Sequence, residues 1–297
     1  MKYSYFPGCS MESTAKSYRL ATEYVMGRIG IELIEIKDWN CCGATSGHAL
    51  NELLGLALPA RSLAIAEREE PELDIVTGCA SCYARLRHAM HKARTDNASR
   101  YNIEKTIEEP YGAKREVYNF LDILTSEAAK TAIRENVTGG LRGLKVACYY
   151  GCLNVRPAEV TGAPDRENPQ AMDEIVALAG ADPVDWAFKT ECCGAAHQND
   201  AASVTRPLVW RILKNAQANG AEAVVTACPM CNLNLEMRQD GYTKKTGGKA
   251  IPVFSVSELL AVAMGASAGR IALEAHHVPA AKVLASALRR HGEGFAI

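Results

Sequence analysis

The stretch DIVTGCASC, residues 74–82, returns as AVVTACPMC at residues 223–231. Each reads as a strand, residues 73–78 and 222–227, ending at a C-x-x-C that opens a helix. Working outward, two more groups of cysteines repeat in the same order. Cys9 is followed after 31 residues by the adjacent pair Cys41-Cys42, and after 36 more by Cys79 and Cys82. Cys152 is followed after 39 residues by Cys192-Cys193, and after 34 more by Cys228 and Cys231. The flanks repeat too: YFPGC (5–9) echoes CYYGC (148–152), and Pro59 and Pro207 lie 20 and 21 residues before their C-x-x-C. This parallel order marks an internal duplication. Its join lies near residues 110–143, dividing the chain into units 1–143 and 144–297.

The elements between the cysteines alternate. KYSYF and LKVACYY are short strands running into glycine turns at Gly8 and Gly151. Residues 14–26 have helical spacing, with Leu20, Ala21, Tyr24 and Val25 on one face and Gly30 as the stop. IELIEI (31–36) reads as a buried strand leading to the first double cysteine. A helix follows each double cysteine; in the second, Leu208, Val209, Ile212, Leu213 and Ala216 form the apolar stripe and Gly220 ends it. IPVFS (251–255) is a further strand, followed by a helix from Val256. Strand–helix alternation predicts an α/β fold of parallel sheets with helices on both faces. Sites in such sheets lie beyond the carboxyl ends of the strands. Every cysteine group sits at such an end, so the five thiols of each copy should converge.

Composition bounds the chemistry. The chain has 297 residues, 48% apolar and 23% charged, ordinary for about two globular units. A net charge of −1 gives no basic excess for nucleic acid. The N-terminal residues do not read as a signal peptide, and no apolar run is long enough to span a bilayer, so a cytoplasmic protein is expected. Eleven cysteines in a reducing compartment point to metal ligation or redox chemistry, and their odd number cannot all pair. Cys148, outside both sets, reads as a buried strand residue.

Three chemistries compete for five converging thiolates. Tetrahedral zinc takes four ligands, and adjacent cysteines are awkward around one small ion. Thiol–disulfide exchange at one C-x-x-C leaves three thiols idle. An iron–sulfur cluster is larger, and neighbouring thiolates can serve different irons. Gly43 and Gly194, after the double cysteines, would let the backbone approach such a cluster. Cys82 and Cys231 fall in first helical turns, where free N–H groups and the dipole favour thiolates.

The pattern C-x(31–39)-C-C-x(34–36)-C-x-x-C, twice, resembles the tandem cysteine-rich "CCG" domain of the catalytic B-type subunit of CoB–CoM heterodisulfide reductase, over nearly the whole chain. The fold this implies is two pseudo-repeated Rossmann-like CCG domains. The resemblance also implies two noncubane [4Fe-4S] clusters. One would be held by Cys9, Cys41, Cys42, Cys79 and Cys82, the other by Cys152, Cys192, Cys193, Cys228 and Cys231. In that family a disulfide such as CoM-S-S-CoB binds between the clusters and is cleaved in two one-electron steps. Electrons come through a small ferredoxin-like iron–sulfur partner from a large flavin-containing one, often linked to a hydrogenase or formate dehydrogenase. This chain carries no C-x-x-C-x-x-C run and no G-x-G-x-x-G fingerprint of its own. Where the family often has a glycine-rich stretch, CCGAAHQND places His197; the first copy offers His48. Either could give a proton or hydrogen bond to a leaving thiolate, against the alternative of a scaffold role. Arg85, Arg87 and Arg211 read as solvated helix faces, or else as receptors for acidic substrate groups. The apolar pattern Val283, Leu284, Leu288 near the C-terminus could cap the fold or dock a partner. Two rival readings keep the scaffold: reduction of another disulfide or persulfide in sulfur metabolism, and a non-catalytic relay for an organic-acid dehydrogenase.

Overall fold

Eight strands build two four-stranded sheets of identical topology. In the computed structural model, which describes residues 1–197, 202–239 and 241–289, the first sheet contains β1 (Lys2–Phe6), β2 (Glu32–Glu35), β3 (Ile75–Thr77) and β4 (Val117–Asn119). Its order is β2-β1-β3-β4, and every pairing is parallel. The second contains β5 (Lys145–Tyr149), β6 (Asp182–Pro183), β7 (Ala223–Thr226) and β8 (Val253–Ser255), in the order β6-β5-β7-β8, again all parallel. The expected pair of Rossmann-like parallel sheets is therefore present. Strands β3, β7 and β8 are buried along their whole length, as strands covered on both faces must be.

Local sequence misled at two places. IELIEI is not a buried strand: as β2, at the edge of the first sheet, it leaves Glu32 and Glu35 exposed and Leu33 and Ile34 half-buried. Residues 110–143 are not only a join, since β4 lies within them and completes the first sheet. Its signature was local. Asn119 and Asp122 form a reciprocal capping box that starts helix Phe120–Leu124, and Ser255 and Glu258 do the same for helix Val256–Ala263 after β8.

The two copies are fused. Helix Lys16–Arg28 buries Tyr18, Ala21 and Val25 in one core with Leu259, Leu260 and Val262 of helix Val256–Ala263. At that contact Thr22 Oγ1 donates to Ser257 Oγ at 3.0 Å, and the Tyr24 hydroxyl donates to the Met264 carbonyl at 3.1 Å. A second core joins Phe6, Leu63 and Val117 to Tyr149, Leu213 and Val253. Arg87 is not on a solvated face. Its guanidinium donates to the carbonyls of Val117 and Val160, one in each copy, and stacks on Tyr83. Arg211 is exposed, lying over Phe188. Helix Ala281–Arg289 buries Leu284 and Leu288 in the shared core, so this segment caps the fold. The residues beyond it lie outside the described ones.

Candidate metal centre

Each cysteine group emerges where topology puts it, just past a strand's carboxyl end. Cys9 follows β1, Cys79 follows β3, Cys152 follows β5 and Cys228 follows β7. Cys79 and Cys228 are the N-caps of the helices Ala80–Thr95 and Pro229–Met237, which carry Cys82 and Cys231 in their first turns. The double cysteines ride on loops after the edge strands β2 and β6. Asn40 fastens the first loop, its Nδ2 donating to the carbonyls of Leu58 and Cys41 at 2.9 and 3.0 Å. In the second, Asn234 Nδ2 donates to the Cys193 carbonyl at 2.8 Å, and the Tyr149 hydroxyl to that of Glu191.

The sulfurs converge into chains of shared protons. In the first copy Cys9 and Cys41 lie 3.9 Å apart and Cys42 and Cys82 3.3 Å apart. In the second, Cys193 and Cys231 are 3.6 Å apart, and Cys152 lies near enough to Cys192 for each to shift the other's ionisation. The sets also approach each other: Cys79 and Cys228, on opposite sides of the copy boundary, lie near enough to shift each other's ionisation. Along this array some thiols are drawn toward thiolate and their donors are held up. Hydrogen bonds from Cys42 and Cys9 pull Cys41 down to about 2, and a bond from Cys152 pulls Cys192 down to about 6. Cys193 is lowered by Cys231, and Cys228 well lowered by Cys231 and Cys79. Their donors are held up in turn: Cys42 to about 12 by Cys41, and Cys9, Cys79 and Cys152 in the same direction. The field at the helix starts does not govern Cys82 and Cys231, contrary to expectation. Both are raised well above the ordinary thiol range by protons shared with Cys42 and Cys193, and by burial. Cys148 is buried in β5, apart from both sets.

This donor set fits a multi-iron cluster in each copy. Each set offers five thiols, with Cys41 of the first and Cys192, Cys193 and Cys228 of the second drawn toward thiolate, a sulfur-rich donor set of the kind iron takes. Among the described residues, no group of three or more His, Cys, Asp or Glu stands close enough to hold a metal ion as the side chains are placed. Room at the sulfurs is kept by Gly8 and Gly151, which the sequence marked only as turns. Both have positive φ, +73° and +68°, and a Cβ would lie 2.9 Å from Cys82 Sγ at Gly8 and 3.3 Å from Cys231 Sγ at Gly151. Gly43 and Gly194 have a different role from the one expected. Their N–H groups reach Cys41 and Cys192, but their bare Cα atoms face Leu58 and Leu208 of the following helices. Gly8→Ala should cost about 1–2 kcal/mol from the left-handed backbone alone, and more from the clash with Cys82. Urea unfolding, paired with iron content, checks this; unchanged values for both would contradict it.

A cavity of about 200 Å³ opens at the junction. All five second-copy cysteines, Cys152, Cys192, Cys193, Cys228 and Cys231, line one side. Ala44, His48, Ala80, Ser81 and Arg85 of the first copy line the other. His48 is thus brought to the cavity, and His197 is not among its lining residues. The His48 Nδ1 lies 3.3 Å from the Gly43 carbonyl. A carbonyl only accepts, so Nδ1 carries the proton and Nε2 is left for other partners. His197 is exposed at the end of the 3-10 turn Ala195–His197, and its charge is one of the influences lowering Cys192. Arg85 is half-buried, and burial pushes its pKa down.

A family model described as a cysteine-rich domain, CCG, matches residues 3–87 and again 146–236, one match on each sheet and its thiols. The chain belongs to the CCG cysteine-rich domain family. Two CCG copies therefore stand in tandem, as the repeated cysteines had indicated. The 8-methylmenaquinol:fumarate reductase membrane anchor subunit of Wolinella succinogenes is 30% identical over 286 residues, covering 95% of this chain and 99% of that one. The B-type subunit of the ferredoxin:CoB-CoM heterodisulfide reductase of Methanosarcina mazei is 29% identical, covering 96% of each. A hypothetical protein of Helicobacter pylori shares the fold of this CCG chain, with a TM-score of 0.69 at 11% identity over 93% of this chain and 51% of that one.

Proposed function

We propose that this chain is the disulfide-reducing subunit of a heterodisulfide-reductase-type complex. It would hold one noncubane [4Fe-4S] cluster on Cys9, Cys41, Cys42, Cys79 and Cys82, and another on Cys152, Cys192, Cys193, Cys228 and Cys231. The observation that carries this reading is the approach of two complete five-thiol sets at one junction, where Cys79 of one set and Cys228 of the other shift each other's ionisation. The clusters, when bound, supply single electrons. The overall change is R–S–S–R′ with two electrons and two protons giving R–SH and R′–SH. His48, at the junction cavity, is placed to give a proton to a departing thiolate through Nε2 when the ring is doubly protonated, Nδ1 being held on the Gly43 carbonyl. His197 is the weaker candidate for that role, since it is exposed and outside the cavity lining.

Electrons would arrive from a ferredoxin-like iron–sulfur partner and, through it, a flavin-containing one, with a hydrogenase or formate dehydrogenase as the source in some complexes. The full-length similarity to a heterodisulfide reductase subunit supports a place in such an assembly, and we place it in the cytoplasm. A second reading, an electron relay for an organic-acid enzyme, is favoured by the similarity to the fumarate reductase subunit. That relative is named a membrane anchor, whereas no described helix here is long and apolar enough to cross a membrane. Anaerobically purified protein should contain about eight irons per chain, about four for each set of five cysteines. It should also reduce a disulfide with an artificial one-electron donor. About four irons with one zinc would remove the two-cluster reading; full iron without disulfide turnover would favour the relay.

A further inference from the structure

The duplication is broken at the junction cavity. Aligning the C-x-x-C motifs sets Arg85 against Asn234, and aligning the double cysteines sets His48 against Asn199. Asn234 is buried and spends its amide on the Cys193 carbonyl. Arg85 instead lines the cavity, with no hydrogen bond or ion pair to a described side chain; its charge is felt at Cys42 and at His88. Among the described residues no Asp or Glu lines that cavity, and Leu153, Ala195, Ala196 and Met230 make much of the remaining wall. A half-buried guanidinium with no carboxylate among the described lining residues, facing thiols across a wall whose other polar side chains are His48, Ser81 and Tyr150, is a receptor for an anion.

We infer that Arg85 of the first copy binds an anionic group on the thiol or disulfide half that engages the second-copy cysteines. The two halves of the substrate are then treated differently: the half at the second site carries a carboxylate or similar anion, and the position equivalent to Arg85 in the other copy is the neutral Asn234. The inference deepens the disulfide reading and rests on it.

The test uses anaerobically purified, iron-loaded protein. Binding of 3-mercaptopropionate and of neutral 2-mercaptoethanol is measured by calorimetry, and turnover of 3,3′-dithiodipropionate and of bis(2-hydroxyethyl) disulfide by donor oxidation. The parent should prefer the anionic member of each pair. Arg85→Gln should erase that preference, weakening 3-mercaptopropionate and raising KM for its disulfide about 10- to 100-fold, with iron content and the neutral pair unchanged. Arg85→Lys, which keeps the charge but loses the fork, should fall between, and it serves as the test if Arg85→Gln does not load iron. Equal losses on anionic and neutral ligands, or an unchanged preference, would overturn the inference. So would a shifted cluster potential with preference intact, which would assign Arg85 to the cofactor. A parent that turns over no disulfide, yet binds 3-mercaptopropionate through Arg85, would keep the receptor and remove the disulfide reading.

Discussion

Cys193→Ser and Cys42→Ser should each reduce disulfide turnover to less than about 1% of the parent rate, a loss of more than about 2.7 kcal/mol of transition-state stabilisation. Both cysteines are buried, with sulfurs 3.6 Å from Cys231 and 3.3 Å from Cys82. A serine hydroxyl does not ionise near neutral pH and is a poor ligand for iron. Each change should therefore empty its own site and leave the other filled, so iron should fall to about four per chain. Either loss alone should be complete. If each site must engage one half of the disulfide, the surviving site has nothing to pull against. Near-normal turnover with about four irons would sink the facing-site reading and support a linear relay.

His276→Leu should destabilise the fold by about 3–5 kcal/mol, the usual cost of stripping the partner from buried charges. His276 lies between two buried carboxylates, with Nδ1 3.1 Å from Glu236 and Nε2 3.0 Å from Glu258. Burial alone would lower its pKa, but the Glu258 charge and hydrogen bonds to both carboxylates raise it to about 10. The same contact holds Glu258 below its ordinary value despite burial. Signs follow from linkage. His276 is protonated in the folded chain and loses its proton near pH ~6.5 when unfolded. Its contribution is complete below that unfolded value and is lost as pH rises toward about 10. The Glu258 contribution is present above the ordinary carboxylate range and lost as pH falls through its lowered value. Urea unfolding from about pH 6 to about pH 10 should therefore show falling stability in the parent and a flatter profile in His276→Leu. Parallel profiles would show that His276 is not the group responsible.

The sequence by itself determined the duplication, the parallel α/β class and the ten-cysteine framework. These are properties of order and period: a strand run ending at C-x-x-C, twice, with Cys-Cys between, fixes which residues leave which strand ends. Cys148 was legible for the same reason, as a strand residue outside both sets. Short or marginal elements were not. Three residues of β4 carry too little periodicity to stand out, and IELIEI has the apolar content of an interior strand but takes the edge, a choice that depends on strand order. Arg85 and Arg87 lie two residues apart on one helix, and nothing in their spacing says that one ties Val117 to Val160 while the other faces the second copy's thiols. The approach of Cys79 to Cys228 links residues 149 positions apart. It exists because helix Lys16–Arg28 packs on helix Val256–Ala263 and locks the two sheets into one body, and only tertiary packing sets which ends of two repeated units face each other.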